Sequence, residues 1–324
     1  MELPRYSVNG FMIYTVTPEP LHKLRIERIK VMNHAILVIC HNNSKVVLKC
    51  LQALDDKRFS FYIMIDKKSK IENNDITTNI KYSRITFVKR ASINWAGYSY
   101  TKAVVTLIRS AMKDKENDIF HMIQGADMPL KTPDEIDRFF TEKSIWNHMK
   151  FVENDFNRTS YRMGCKHFFV DNRFYRNSRA LHFLDKIIAK IQLPFRDKKR
   201  FYYHSALFSF DRRMCEFLMN SKDIIDEKYK YSFMADESLF GTIIKNSSFA
   251  NDINTDRDTR YIDWERRVGS SPHTFTIQDK MQLMDAMNNK QYLFARKFSE
   301  NKDLNIVNII FDELTQRKLS KVES

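Results

Sequence analysis

The sequence predicts an α/β protein with a Rossmann-like, mostly parallel central sheet flanked by helices. Three observations lead there. Short apolar runs at residues 35–40, 61–65, 85–88 and 119–123 read as strands, the last of them as a buried parallel strand. Helical stretches separate them, the first marked by a stripe of Val46, Val47, Cys50, Leu51 and Leu54. Strand and helix alternate, as right-handed crossovers in a parallel sheet require, although no GxGxxG is present.

In chain order, residues 1–31 carry His22, Lys23, Arg25, Arg28 and Lys30 without a clean period. They are expected to be a basic extension outside the domain, or alternatively a basic helix touching a membrane. The domain is expected over 32–312. The strand at 35–40 ends in a turn and helix cap, His41-Asn42-Asn43-Ser44, and the strand at 61–65 ends at Asp66. Trp95-Ala96-Gly97-Tyr98 leads into a helix over about 99–112. The strand at 119–123 ends in a loop with Gly125, Asp127 and Pro129. In open α/β sheets ligands bind beyond the carboxyl ends of strands, so Asp127 is either a site residue or a cap for the next helix. That helix starts with Thr132 as N-cap, Pro133 at its first position and Glu135 closing a capping box.

From 145 the pattern loosens. Residues 151–180, rich in Phe, Tyr, Arg and Asn, read as loops and short elements forming a lid or an acceptor-facing wall. Helices are expected at 180–191, 212–220 and 235–245, and from 276. Strands are expected at 206–210 and 260–264, and a charged tail, 313–324, is expected to fray.

The chain has 324 residues, 43% hydrophobic and 13% aromatic, enough for a substantial core, and only six glycines, which excludes a collagen-like or Gly-rich disordered chain. A net charge of +14 favours a polyanionic neighbour: nucleic acid, an anionic membrane face or a phosphate-bearing substrate. Cys40, Cys50, Cys165 and Cys215 show neither CxxC nor zinc spacing, which points to a reducing compartment. The first residues lack the basic-then-apolar order expected of a signal peptide, and no run approaches the length needed to span a bilayer.

Several side chains are suited to chemistry. Glu237, beside Asp236, either favours a helix dipole or faces a pocket as a general base. Arg260, Arg296 and Lys297 are cations among Tyr261, Trp264, Phe294 and Phe298; partial burial would demand an anion, and a diphosphate would serve. Asp66 can cap a helix or meet a sugar hydroxyl. Asp256-Arg257-Asp258 is a literal DxD, but it follows no hydrophobic strand and is read as chance. The basic cluster 196–200 reads as a solvated turn, and His273 alone decides nothing.

Taken in order, these segments resemble the core-2/I-branching β-1,6-N-acetylglucosaminyltransferase family, which includes peptide O-xylosyltransferases. The likeness runs from Asn33 to Phe298 through residues 34–42, 62–69, Asn94-Trp95-Ala96-Gly97-Tyr98-Ser99, residues 120–131 and 205–210, Ala235-Asp236-Glu237-Ser238, residues 260–275, and Phe294-Ala295-Arg296-Lys297-Phe298. It implies a GT-A-like fold, a UDP-sugar donor (UDP-GlcNAc first, UDP-xylose or another sugar as the alternative) and inversion at the anomeric carbon. By position Glu237 would be the catalytic base. Arg260 and Lys297 would neutralise the UDP diphosphate in place of a metal, with no cofactor. Asp66 would lie near the uridine, and Asp127, Trp95 and Gly97 would shape the donor pocket.

Animal members carry an N-terminal membrane anchor and disulfides. Their absence here suggests a bacterial-type cytoplasmic enzyme of surface polysaccharide or glycolipid synthesis, acting on a glycan or lipid-linked glycan and held at the inner membrane face by its basic surface. A nucleic-acid-binding protein is the alternative from another class. It rests on charge alone, without a recognition motif, so no nucleic-acid partner is expected.

Overall fold

The computed structural model describes residues 31–142, 146–152, 159–196, 200–221, 225, 228–255 and 258–320, and the backbone alone at 5–8, 11–14, 27–28 and 156–158. The basic side chains of the extension, the middle of the 196–200 cluster, and Asp256 and Arg257 of the DxD lie outside these residues. In the extension, β1 (Arg5–Val8), β2 (Phe11–Tyr14) and β3 (Glu27–Arg28) pair antiparallel in that order.

The centre is a seven-stranded sheet. Its strands are β4 (His34–Cys40), β5 (Phe59–Ile65), β6 (Arg84–Phe87), β7 (Ile119–Gln124), β9 (Asn147–Phe151), β10 (His204–Asp211) and β11 (Ile253–Asn254), in the order β11-β9-β10-β7-β4-β5-β6. Only β10 runs against its neighbours; the remaining pairings are parallel. Every residue of β4 and β5 is buried, which explains their unbroken apolar runs.

Alternate residues of β4 enter different cores. Ile36, Val38 and Cys40 pack with α1 (Ser44–Ala53), α3 (Pro133–Thr141), α8 (Lys280–Asn288) and α9 (Asn305–Ser320). Ala35, Leu37 and Ile39 pack with α2 (Tyr98–Met112), α6 (Arg212–Asn220) and α7 (Leu239–Lys245). Helices thus cover both faces of the sheet, the arrangement expected of a GT-A-like α/β fold. All four cysteines are buried and unpaired.

A smaller sheet lies beyond β7. It pairs β8 (Asp127–Pro129) antiparallel with β13 (Phe294–Arg296), which runs parallel to β12 (Arg260–Ile262). The sequence suggested a loop at 127–129. Pairing with the distant β13 makes it a strand, ending at Pro129 where the ladder stops. Gly125 belongs to this turn because a Cβ there would stand 2.8 Å from Cys40 Cβ.

The capping box of α3 is formed: the Thr132 amide donates to Glu135 Oε2 at 2.8 Å. Two expectations change. Residues 235–245 are not one helix: Ala235–Glu237 is a 3-10 turn, and extended φ at Ser238 separates it from α7. Residues 313–320 do not fray; they continue α9, where Leu314 is buried and Arg317 bonds to Glu313 and Asn288.

Candidate active site

The carboxyl ends of β4, β5 and β7 open on the same side, because these strands are parallel and adjacent. Asp66 follows β5 and is buried. Its amide donates to Cys40 O at 2.9 Å, and its Oδ1 accepts from the Lys68 amide at 2.8 Å. Lys68 Nζ lies 3.6 Å from Asp66 Oδ2 and donates to Asn94 Oδ1 at 3.1 Å. At the end of β4, His41 has its pKa lowered by desolvation first. The charge of Asp66 opposes this shift, while Lys297, Lys68 and Arg176 reinforce it. One anion and three cations therefore act on a single imidazole.

The next wall is Trp95-Ala96-Gly97, ahead of α2. Trp95 is partly exposed, its ring edge-on to Phe233 and the Arg176 guanidinium 5.9 Å from its centroid. Gly97 has a steric reason. A Cβ there would come within 2.1 Å of Asp171 Oδ1 and 3.0 Å of Asp171 Cα. Asp171 fastens the turn by accepting from the Ser99 amide at 3.1 Å and the Ser99 hydroxyl at 2.5 Å, while its carbonyl accepts from Asn94 at 2.6 Å.

Ala96 has left-handed φ, as has Met234, and the Met234 amide donates to Ala96 O at 2.9 Å. The Glu237 amide then donates to Met234 O at 3.1 Å. Through these bonds the tryptophan loop carries the turn that presents Glu237. Two non-glycine residues held in this sparsely populated region are of the kind that clusters at functional sites.

Glu237 is partly exposed, and Arg162 Nη1 donates to its Oε2 at 2.9 Å. Arg162, from α4 (Phe156–Gly164), lies against the rings of Tyr203 and Phe233. Burial, followed by the charge of Glu237, raises the pKa of the adjacent Asp236.

Asp127 is buried and does not cap α3, a task Thr132 performs. It accepts from Arg296 Nη1 at 2.6 Å and from the Gln124 amide at 2.8 Å. Arg296 Nη2 donates to Gln124 Oε1 at 2.5 Å, and Gln124 Nε2 donates to the Tyr100 oxygen at 2.6 Å. The Tyr100 hydroxyl is raised by burial and then by the charge of Asp236, which extends this polar line to the Glu237 turn.

Lys297 is half-buried, its carbonyl fixed by the Phe275 amide at 2.9 Å. Its pKa is lowered by burial first, then by Arg296 and Arg176. Among the described residues no carboxylate forms a salt bridge with it, since Asp127 is engaged by Arg296.

Arg260 is placed differently from the expectation. It is fully inside, with Nη1 donating to Ser209 Oγ at 2.9 Å and Nη2 to Phe208 O at 2.6 Å, over the Phe294 ring. Burial lowers its pKa to about 10. A guanidinium committed to sheet carbonyls is not presented to a diphosphate. The structure thus draws Asp66, Trp95, Gly97, Glu237, Asp127 and Lys297 into one linked region and leaves Arg260 beneath it.

The sequence profile of the core-2/I-branching enzyme family matches residues 35–287. The chain belongs to that family. Its matched region is accordingly a glycosyltransferase domain. Curated relatives include xylosyltransferase 1 of Homo sapiens, 25% identical over 81% of this chain and 28% of that protein, and a xylosyltransferase of Ciona intestinalis, 22% identical over 84% and 33%. The chain therefore spans about a third or less of the length of these relatives. Among solved structures, mouse xyloside xylosyltransferase 1 in its apo form has a TM-score of 0.40 at 8% identity, covering 82% of this chain and 97% of that one. Staphylococcus aureus TarS with UDP-GlcNAc has a TM-score of 0.27 at 13% identity, covering 44% and 42%.

For this family member, reading the sequence missed Arg162, Asp171, Arg176, Tyr100 and Gln124. Three of them lie in the loosely patterned 151–180 stretch, where only the density of Arg and aromatic residues marked them. Among the described residues no group of three or more His, Cys, Asp or Glu is arranged to hold a metal ion.

Proposed function

We propose that this core-2/I-branching family member transfers a sugar, GlcNAc in the first reading, from a UDP-sugar to a glycan or lipid-linked glycan hydroxyl, with inversion and without a metal. The observation that carries the reading is Lys297, a half-buried ammonium crowded by two other cations and lacking a carboxylate partner among the described residues. Such a site favours a polyanion, and a nucleoside diphosphate fits.

In this reading each residue has a defined part. Glu237 accepts the proton of the acceptor hydroxyl as its oxygen attacks the anomeric carbon. The bond from that carbon to the β-phosphate oxygen breaks, and its electron pair leaves with UDP. Lys297 neutralises the departing charge, with Arg176 at the rim. Arg162 orients the Glu237 carboxylate, and Trp95, whose loop is tied to the Glu237 turn through Ala96 and Met234, offers an apolar face. The four buried free thiols support work in a reducing compartment.

A second reading, xylose as the sugar, is favoured by the names of the curated relatives. Turnover measured across UDP-GlcNAc, UDP-xylose and other UDP-sugars, with and without EDTA, tests both. Transfer of GlcNAc unaffected by EDTA is expected. Transfer of xylose alone replaces the donor, and activity abolished by EDTA removes the metal-free mechanism.

A further inference from the structure

The helix α5 (Arg179–Gln192) and the turn after it carry an apolar ridge that faces outward. Phe183 is 65% exposed, Ile191 67% and Phe195 87%, with Leu184 and Ile187 also exposed between them. At 100° per residue, positions 183, 184, 187 and 191 share one side of the helix. That side lies opposite Asp185 and Ala189, the two buried residues of the fourteen. The usual burial pattern of an amphipathic helix is therefore reversed.

The exposed charges on α5 are of one sign. Lys186 and Lys190 flank it, and Arg173, Arg176 and Arg179 lie exposed at its start. The one acid of the helix, Asp185, is turned inward, bonded to His167 at 2.7 Å and Tyr175 at 3.2 Å. The whole chain carries +14.

We infer that α5 and the turn at 193–195 dock on an anionic lipid surface. The ridge ends in Phe195, its most exposed side chain, and apolar side chains standing this far into solvent can enter a yielding lipid interface without a matching groove. Apolar side chains with a cationic border and no exposed acid on the helix are what an interfacial helix presents to acidic headgroups. Docking would also place the membrane at the edge of the candidate site, since Arg176 of the preceding turn lies over Trp95. Lipid docking by α5 is independent of which sugar donor the site takes.

Flotation of the full chain with vesicles tests it, comparing phosphatidylcholine alone with a phosphatidylcholine–phosphatidylglycerol mixture. Binding to the mixture, none to phosphatidylcholine alone, and release by salt are expected. The triple variant Phe183→Ser/Ile187→Ser/Ile191→Ser should bind about tenfold or more weakly, because the buried apolar area is lost. Lys186→Glu/Lys190→Glu should weaken binding comparably, and it carries the test should the triple variant not fold. UDP binding is expected to be unchanged in both, so failure of docking is told apart from failure of the donor reading. No flotation with the mixture, or undiminished binding by the variants, overturns the inference. So does a ridge that proves to be a self-association surface, with the triple variant dissociating an oligomer while binding vesicles as before.

Discussion

Glu237 and Lys297 have complementary surroundings: the acid has a cation oriented against it, and the cation is crowded by its own kind. If Glu237 takes the acceptor proton, Glu237→Gln should lower turnover by roughly 100-fold or more while leaving UDP affinity unchanged by calorimetry. Lys297→Ala should instead weaken UDP binding and cut turnover by about 100-fold. Arg260→Lys separates the buried arginine from both. A single ammonium cannot serve Ser209 and Phe208 O as the fork does, so a stability loss of about 1–3 kcal/mol is expected in urea titration, with UDP affinity retained. Arg260 also shows where reading residues one at a time stops. Its aromatic neighbours correctly signalled burial, but burial can be compensated by carbonyls and a hydroxyl as well as by an external anion. A local sequence does not say which compensation the fold supplies. Arg162 was illegible for a related reason: its partner lies 75 residues away.

The central strands were readable at the element scale because both faces are buried, leaving runs of Ile, Val, Leu and Phe that no turn interrupts. The capping box of α3 was equally plain, since all its parts lie within four residues. The 3-10 turn carrying Glu237 was not: its break from α7 depends on Met234 being tied to Ala96, a contact across the fold. The Gly97 contact tests that tie. Gly97→Ala drives a methyl into Asp171, and a loss of about 1–3 kcal/mol with falling turnover is expected, measured by thermal melting and sugar transfer. Asp171→Gly in the same chain should restore part of the stability by removing the clashing carboxylate.

For the whole molecule, the two packed faces of the sheet bury His34, His121 and His204, and desolvation lowers the pKa of each, that of His204 to about 4. The unfolded chain binds these protons near the ordinary value of about 6.5 and the folded one does not. Their stabilising contribution is thus full above that value and lost as pH falls through the window below it. Asp236 and Asp258, raised by burial, act in the opposite sense. With four histidines, His41 of the candidate site included, against two carboxylates, the unfolding free energy from urea titration is expected to fall between pH 7.5 and pH 5 by about 1 kcal/mol or more.

The direct test of the central claim is a crystal structure with UDP, grown with EDTA. It should place Lys297 Nζ within hydrogen-bond distance of a diphosphate oxygen, with Arg260 still bound to Phe208 O and Ser209. A diphosphate bound away from Lys297, or one that binds only when a metal ion bridges it, would contradict the account.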